Sequence, residues 1–438
     1  MRRGRVLDVT ASARPIVVRD RRDARVRPGR SRMFPAVRNE RTVAGRYPER
    51  MREDTEHPGS QSSLRSANQQ RVVRVLQSGG ELTQAEIARR TGLAPATVSN
   101  LVRELTAGGL VEVAAAERPG QRGRAVKLTR SAGLAVGIDF GHRHLTVAVA
   151  DLSHEILAEK RVELATGHRA EDGIERAGAL LDDALVELGC GRDAVAAVGM
   201  GLPAPVESAT HRIGGPSILP GWVGVDPAAL AAERLALPVH VDNDANLGAL
   251  AEHIWGAGRG MDDLAYIKLS DGVGAGLVLD GRLYRGRAGT AGEIGHTSLD
   301  EFGQVCRCGN RGCLETMVAS HVVIGLLEPS RGPGLTIADV VALAEAGDAG
   351  CARVLADTGR HVGVAAAGLC NLLNPQLILI GGELALAGEW LLEPLRRAIE
   401  RYAVPSAART VQVRTAALGA RAQVLGAVAL GLRAANPH

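Results

Sequence analysis

Three short segments in the N-terminal third of the chain carry apolar residues at helical spacing. Segment 68–76 predicts a first helix. Thr83 begins the second, because Glu86 follows three residues later and the two side chains can form a capping box. Gly92 ends that helix. The third segment, 94–109, predicts a helix with four residues on one apolar face, namely Val98, Leu101, Val102 and Leu105.

Two segments rich in β-branched residues follow, at 110–117 and 125–130, and predict two strands. The loop between them, ERPGQRGR, is basic and contains two glycines. Two helices joined by a glycine-containing turn, followed by a basic hairpin, are typical of a winged helix-turn-helix. Residues 63–130 are therefore predicted to bind DNA. A small helical domain with a solvated basic hairpin remains the alternative.

The polar face of the third helix supplies the candidate DNA contacts. Thr97, Asn100 and Arg103 are predicted to face bases in the major groove, and Ser99 to face a phosphate. In the wing, Arg122 and Arg124 are predicted to contact the minor groove or the phosphates. Because such domains mostly bind as two-fold dimers, we expect a homo-oligomer, dimer or tetramer, on double-stranded DNA whose operator is an inverted repeat.

From residue 134 onward, apolar strands alternate with amphipathic helices, which predicts an α/β fold with partly parallel sheets. The predicted strands are 135–140, 146–151, 194–203, 238–244, 264–270, 274–281 and 377–382. The clearest predicted helices are 177–188 and 245–256. This number of elements leaves room for two lobes with a cleft between them.

The length of 438 residues predicts a multidomain protein, and the content of 45% apolar and 23% charged residues is typical of globular domains. No apolar run approaches the roughly 18 residues of a membrane span, and no signal peptide is recognisable, so we expect a cytoplasmic protein without membrane contact. Residues 1–60 contain sixteen arginines against eight acidic residues and lack periodicity. We predict a disordered tail over 1–62. Either this tail contacts DNA phosphates, or translation starts at Met33 or Met51.

Three of the six cysteines lie within CRCGNRGC, as Cys306, Cys308 and Cys313, and His296 precedes them by ten residues. Three thiolates and one imidazole suit tetrahedral zinc, so we predict one structural zinc ion per chain. The alternative is a redox-active or merely buried group of cysteines. The isolated cysteines, which are Cys190, Cys351 and Cys370, are predicted to lie in the core.

The segment VDNDAN places Asp242, Asn243 and Asp244 between a predicted strand and a helix. Polar side chains at the carboxyl end of a parallel strand face the cleft where such sheets bind ligands, and Asp244 is suited to accept a proton from a hydroxyl. The same residues are equally typical of helix caps, and the local sequence leaves both roles open.

Several motifs together resemble the ROK family of repressors, open reading frames and sugar kinases. They are GIDFG (137–141), GLPAPV (201–206), LPGW (219–222), VDNDAN (241–246), GVGAGLV (272–278), AGEIGH (291–296), CRCGNRGCLE (306–315) and LILIGG (377–382). The resemblance implies an actin-like (ribonuclease H-like) two-lobed fold, with lobes at 134–248 and 249–419 and a C-terminal helix, 420–435, that completes the first. It also implies sugar binding by Asn243, Asp244, Glu293, His296 and Glu315, with Asp244 the base in active kinases.

The chain departs from the kinases of this family at both glycine-rich phosphate loops. Where kinases have DxGGT, this chain has Asp139, Phe140, Gly141, His142 and Arg143. In the second loop Asp271 adds a carboxylate beside the expected phosphate position, which opposes phosphate binding. The residues that the resemblance assigns to nucleotide binding are Asp139, Gly141, Gly272, Gly274, Gly381 and Gly382.

We therefore predict a sugar-responsive repressor of carbohydrate-metabolism genes, whose effector is a sugar or sugar phosphate. The alternative is an ATP-dependent kinase of a hexose or N-acetylhexosamine, and only in that case are ATP and magnesium expected as cofactors. A sugar-binding protein with a vestigial winged helix is a third possibility.

Overall fold

The computed structural model describes residues 61–79, 81–115, 124–129, 133–215 and 217–435. The predicted tail over residues 1–62 lies almost entirely outside this range, as does Arg122 of the wing. Among the described residues, no helix combines the length and the apolar character needed to cross a membrane.

The first elements form a winged helix. They are α1 (Gln61–Gly79), β1 (Leu82–Thr83), α2 (Gln84–Thr91), α3 (Pro95–Ala107), β2 (Val111–Ala115) and β3 (Arg124–Leu128). The three strands pair antiparallel in the order β1–β3–β2. The capping box is confirmed, since the backbone N–H of Thr83 donates to Glu86 (2.8 Å) and that of Glu86 to the Thr83 hydroxyl (3.3 Å). Helix α1 is longer at both ends than the predicted segment 68–76.

The first α/β lobe contains a five-stranded sheet in the order β6–β5–β4–β7–β8. Its elements are β4 (Leu134–Phe140), β5 (His144–Asp151), β6 (Ile156–Glu163), α4 (Ala170–Glu187), β7 (Val195–Leu202), α5 (Pro227–Leu235) and β8 (Val239–Asn243). Strands β4, β7 and β8 run parallel, so their carboxyl ends meet at one edge of the sheet. The sequence pattern missed β6 because this edge strand is largely charged and only half buried.

The second lobe contains a five-stranded sheet in the order β11–β10–β9–β12–β13. Its strands are β9 (Leu264–Leu269), β10 (Val273–Leu279), β11 (Arg282–Tyr284), β12 (Leu377–Gly381) and β13 (Gln412–Thr415). The remaining α-helices of the described residues are α6 (Asp244–Ile254), α7 (Glu315–Val318), α8 (Ser320–Arg331), α9 (Ile337–Glu345), α10 (Ala349–Leu373), α11 (Glu389–Tyr402), α12 (Pro405–Thr410) and α13 (Ala422–Ala434).

Helices α6 and α13 join the two lobes. Helix α6 packs on β9 and β10 of the second sheet, and α13 packs on β4 and β7 of the first. The two helices also pack on each other, and Gly426 permits this approach. A Cβ atom at Gly426 would lie 2.0 Å from the carbonyl oxygen of Leu247, closer than any side chain tolerates. The two lobes are therefore joined where α6 and α13 cross in close contact.

One apolar cluster connects the winged helix to the first lobe. Val72 and Leu76 of α1 belong to the same buried cluster as Ala150 of β5 and Val428 of α13. Trp255, which follows the last residue of α6, packs against this cluster. The Trp255 ring also meets the His154 ring edge to face, with the centroids 5.3 Å apart. Thus α6 extends from Asp244 to the edge of the core that the two regions share.

Candidate functional site

The cleft has a volume of about 870 Å³ and brings the predicted ligand-binding residues together. All five residues predicted to bind sugar line it: Asn243, Asp244, Glu293, His296 and Glu315. So do the six predicted nucleotide-loop residues, Asp139, Gly141, Gly272, Gly274, Gly381 and Gly382. A cavity of this size with convergent polar groups is typical of a small-molecule site.

Asn243 lies where β8 ends and α6 begins, and it combines the two roles that the sequence left open. Its Oδ1 accepts a hydrogen bond from the backbone N–H of Ala245 at 2.9 Å and caps α6. The cap uses only the oxygen of the side chain, so Nδ2 remains a donor for a ligand in the cleft. Asn243 is therefore held rigidly by the helix that it caps.

Asp244 is paired with Lys268, a residue that the sequence analysis missed. The Lys268 ammonium donates from Nζ to Oδ2 of Asp244 at 2.5 Å, and both side chains are largely buried. Burial alone would lower the pKa of Lys268, but the carboxylates of Asp244 and Asp139 together raise it. Lys268 is therefore charged. A single lysine within the apolar strand LAYIKL was the available signal.

Glu315 is held in a second ion pair, with Arg307. The Arg307 guanidinium donates to Oε2 of Glu315 at 2.5 Å, and the backbone N–H of Val273 donates to the same oxygen at 3.1 Å. The nearby Glu293 carboxyl has its pKa raised to about 7 by burial and by the negative charges of Asp244 and Glu315. Arg307 carries no separate sequence signal, because it stands between two cysteines of the predicted zinc loop.

The four predicted metal ligands form a compact cluster. The ligand atoms of His296, Cys306, Cys308 and Cys313 all lie within 4.8 Å of one another. Sγ of Cys306 lies 3.6 Å from Nδ1 of His296, and Sγ of Cys308 lies 3.6 Å from Sγ of Cys313. Sulfur atoms bound tetrahedrally to zinc at about 2.3 Å are separated by about 3.8 Å, so this donor set fits a metal ion.

His296 connects the metal cluster to the cleft. While Nδ1 faces the Cys306 sulfur, Nε2 lies 3.8 Å from Oε2 of Glu293 on the cleft side. A histidine that ligates a metal through one nitrogen has its ring orientation fixed, and its other nitrogen can form a hydrogen bond with a neighbouring group.

The two phosphate-loop segments are joined to each other by a side-chain hydrogen bond. His142, between β4 and β5, places Nδ1 2.9 Å from Oδ2 of Asp271, between β9 and β10. Nε of the more exposed Arg143 lies 3.7 Å from the same oxygen. This cluster links the two lobes at the place where the kinase pattern has small residues.

The candidate DNA contacts lie on one side of α3. Asn100 and Arg103 are exposed, Thr97 is half buried, and Nη1 of Arg103 donates to Oδ1 of Asn100 at 3.2 Å. The Ser99 hydroxyl donates to Oε1 of Gln84 in α2 at 2.7 Å, so it stabilises the packing of the two helices. Arg124 begins β3 and is exposed.

Two family profiles match the chain, one for each of its two regions. The ROK family profile matches residues 135–434, and the MarR family profile matches residues 66–122. The chain is 31% identical over 397 residues to the DNA-binding transcriptional dual regulator NagC of Escherichia coli K12, covering 86% of this chain and 96% of NagC. It is 26% identical over 389 residues to the xylose repressor of Caldicellulosiruptor bescii, covering 85% and 97%.

Solved structures share the fold. A ROK family transcriptional regulator, described as a homologue of the E. coli MLC protein, matches with a TM-score of 0.71 and 25% identity, over 85% of this chain and 97% of that one. A ROK family glucokinase from Streptomyces griseus, in complex with glucose and AMPPNP, matches with a TM-score of 0.60 and 29% identity, over 68% and 99%. The glucokinase match thus covers a smaller part of the chain than the regulator match.

Proposed function

The chain belongs to the ROK family, and from this premise we propose that it is a sugar-responsive transcriptional repressor of carbohydrate-metabolism genes. One observation carries the proposal: a winged helix with an exposed polar face shares a buried core with the lobe that forms half of the cleft. DNA binding and ligand binding in one connected molecule are what such a regulator requires. By their names, NagC is a DNA-binding transcriptional dual regulator and the C. bescii protein is a xylose repressor.

In this proposal the winged helix at 63–130 binds DNA, and residues 134–248, 249–419 and 420–435 form the sugar sensor. Asn243, Asp244, Glu293, His296 and Glu315 bind hydroxyls. A hydroxyl is both donor and acceptor, so it can donate to Asp244 or Glu315 while it accepts from the paired cation. The ion pairs thus select a ligand rich in hydroxyls.

A zinc ion held by His296, Cys306, Cys308 and Cys313 is part of the proposal. When bound, zinc supplies a fixed tetrahedral crosslink for the loop. The loop positions His296 beside Glu293, and it carries Arg307, which pairs with Glu315. Metal binding would therefore fix the positions of His296 and Arg307 on the side of the cleft that contacts the sugar.

On the DNA side, Thr97, Asn100 and Arg103 of α3 would contact bases. Ser99, whose hydroxyl donates to Gln84, would have no more than a secondary role beside a phosphate, and Arg122 and Arg124 would contact the minor groove or the phosphates. The residue types suit base and phosphate contacts, and Asn100 and Arg103 are exposed on α3. We expect a homodimer or homotetramer on an inverted repeat, because two-fold protein symmetry is matched by two-fold operator symmetry.

A sugar kinase is the second candidate, because Asp244 occupies the position of the family's catalytic base and the fold is shared with a glucokinase. Burial raises the pKa of Asp244 despite its ion pair with Lys268, so the pairing does not by itself remove the base. One contact argues against a kinase. The His142–Asp271 pair occupies the region where nucleotide phosphates would lie. Turnover of a hexose with Mg-ATP that Asp244→Asn abolishes would establish the kinase.

The experiment that tests the repressor is footprinting of the purified protein on DNA from upstream of its own gene, at fixed salt, with xylose, glucose or N-acetylglucosamine added separately. We expect protection of an inverted repeat, and release by one sugar. Protection without a sequence preference, or none at all, would contradict the proposed function.

A further inference from the structure

The cleft is larger than one sugar ring requires. Sites of about 300–1,000 Å³ enclose drug-sized ligands, and this cleft of about 870 Å³ lies near the upper end. The predicted sugar ligands occupy one end of it. The other end, here called the distal chamber, is enclosed by one face of α8, the loop 334–338, the segment 383–386 and the turn 416–420.

The distal chamber has an apolar wall and two carboxylates. Ile324, Leu335 and Leu386 line it, and the Leu386 side chain is 63% exposed to the cleft and solvent. Its two carboxylates, Glu328 and Glu383, form no ion pair with any cation in the part of the chain that the structure describes. The lining of the whole cleft holds four Lys and Arg side chains, which are Arg143, Arg161, Lys268 and Arg307, against seven carboxylates, which are Asp139, Asp244, Asp271, Glu293, Glu315, Glu328 and Glu383. A polyphosphate would therefore meet a net negative charge, whereas a neutral ligand would not.

Two polar features lie between the sugar end and the distal chamber, namely the His142–Asp271 pair and Ser320. The His142–Asp271 pair already satisfies the imidazole and the carboxylate at the phosphate-loop position. Beside it, Ser320 donates its backbone N–H to the carbonyl of Ser270, while its buried hydroxyl has no hydrogen-bond partner among the described residues. Ser320 also lines the cleft, so this hydroxyl marks a place for a ligand with its own donors and acceptors.

We propose that the effector is a neutral glycoside with two rings, such as a disaccharide, rather than a single sugar or a sugar with a nucleotide beside it. The first ring binds at Asp244 and Glu315, and the second lies in the distal chamber. Sugar rings present apolar C–H faces that pack on leucine and isoleucine, and hydroxyls that bond to groups such as Ser320 and Glu328. The inference rests on the proposed function, because it extends the same sugar site.

Isothermal titration calorimetry on the full chain tests this inference. The ligands are xylose, glucose and N-acetylglucosamine, their β-1,4-linked disaccharides, maltose, gentiobiose and Mg-ATP. At least one disaccharide is expected to bind tenfold or more tightly than its monosaccharide. Leu386→Glu is expected to reduce that affinity at least fivefold and to leave monosaccharide affinity unchanged. Leu326→Glu is the matched control, because Leu326 is similarly exposed (62%) but lies outside the cleft.

Each other outcome has a defined meaning. If a monosaccharide binds as tightly as every disaccharide, and Leu386→Glu changes no sugar affinity, the two-ring effector is overturned. The proposed repressor function is then unaffected. The two-ring effector is also overturned if Mg-ATP binds to the wild type and the Leu386→Glu variant no longer binds it. The distal chamber would then be a nucleotide site. Failure of every sugar to bind overturns both the inference and the proposed function.

Discussion

Nζ of Lys268, in β9 of the second lobe, lies 2.5 Å from Oδ2 of Asp244, at the start of α6. This ion pair joins a strand of one sheet to the helix that leads out of the other, and it does so at the base of the cleft. A ligand hydroxyl that inserts between the two groups would alter the contact between the lobes. In the proposed function, this ion pair is the contact through which sugar binding would act on the fold.

Removal of Lys268 should destabilise the protein. In Lys268→Met the buried Asp244 carboxylate loses its counter-ion, and the free energy of unfolding is expected to fall by about 3 kcal/mol. The double variant Lys268→Met with Asp244→Asn should recover part of this loss, because no uncompensated charge remains. Urea denaturation measures both. Equal stability of Lys268→Met and wild type would show that the pair is not formed.

Loss of the metal should weaken sugar binding and leave DNA binding intact. Cys308→Ser is expected to lower the zinc content from one ion per chain and to reduce sugar affinity about 10–100-fold, because the loop that carries His296 and Arg307 loses its crosslink. Cys190→Ser, a half-buried thiol outside the cluster, is the matched control. Metal analysis and calorimetry report the result. Unchanged sugar affinity in a metal-free variant would contradict this role.

Arg103 should contribute to operator recognition. Arg103→Ala removes an exposed guanidinium from the polar face of α3, and operator affinity is expected to fall by about 1–3 kcal/mol. Arg353→Ala, which removes an exposed arginine from α10 of the second lobe, should have no effect. Fluorescence anisotropy at constant salt measures both. An equal loss in the two variants would indicate only a general charge effect.

Trp255 should carry the sugar signal to the winged helix. Helix α6 runs from Asp244 to Ile254, and Trp255 then packs on the core shared with α1. In Trp255→Ala, sugar and operator are each expected to bind within about threefold of wild type, while the effect of sugar on operator affinity falls at least fivefold. Trp390→Ala, at a partly exposed tryptophan of the second lobe, is the control. Full sugar response in Trp255→Ala would exclude this route.

Local patterns predicted the features that depend on local chemistry. The capping box at Thr83, the apolar face of α3 and the close-set ligands in CRCGNRGC each depend on residues that are near in sequence. The two-lobed fold followed from the resemblance, and the family profile supports it over residues 135–434.

Sequence patterns could not predict which distant side chains pair in the folded protein. Lys268 meets Asp244 across 24 residues, and His142 meets Asp271 across 129, so neither pair has a spacing that a sequence motif records. Arg307 was hidden by its position between two cysteines, although its side chain points to Glu315 in the cleft. The distal chamber is assembled from four separate segments and has no local signature.

The most direct test of the central claim is a titration of operator DNA with wild-type protein and with Asp244→Asn, each with and without saturating sugar, at one salt concentration. We expect sugar to weaken operator binding by the wild type at least tenfold, and Asp244→Asn to bind the operator normally without responding to the sugar. An operator affinity that no sugar alters in the wild type, or an undiminished response in Asp244→Asn, would contradict the claim.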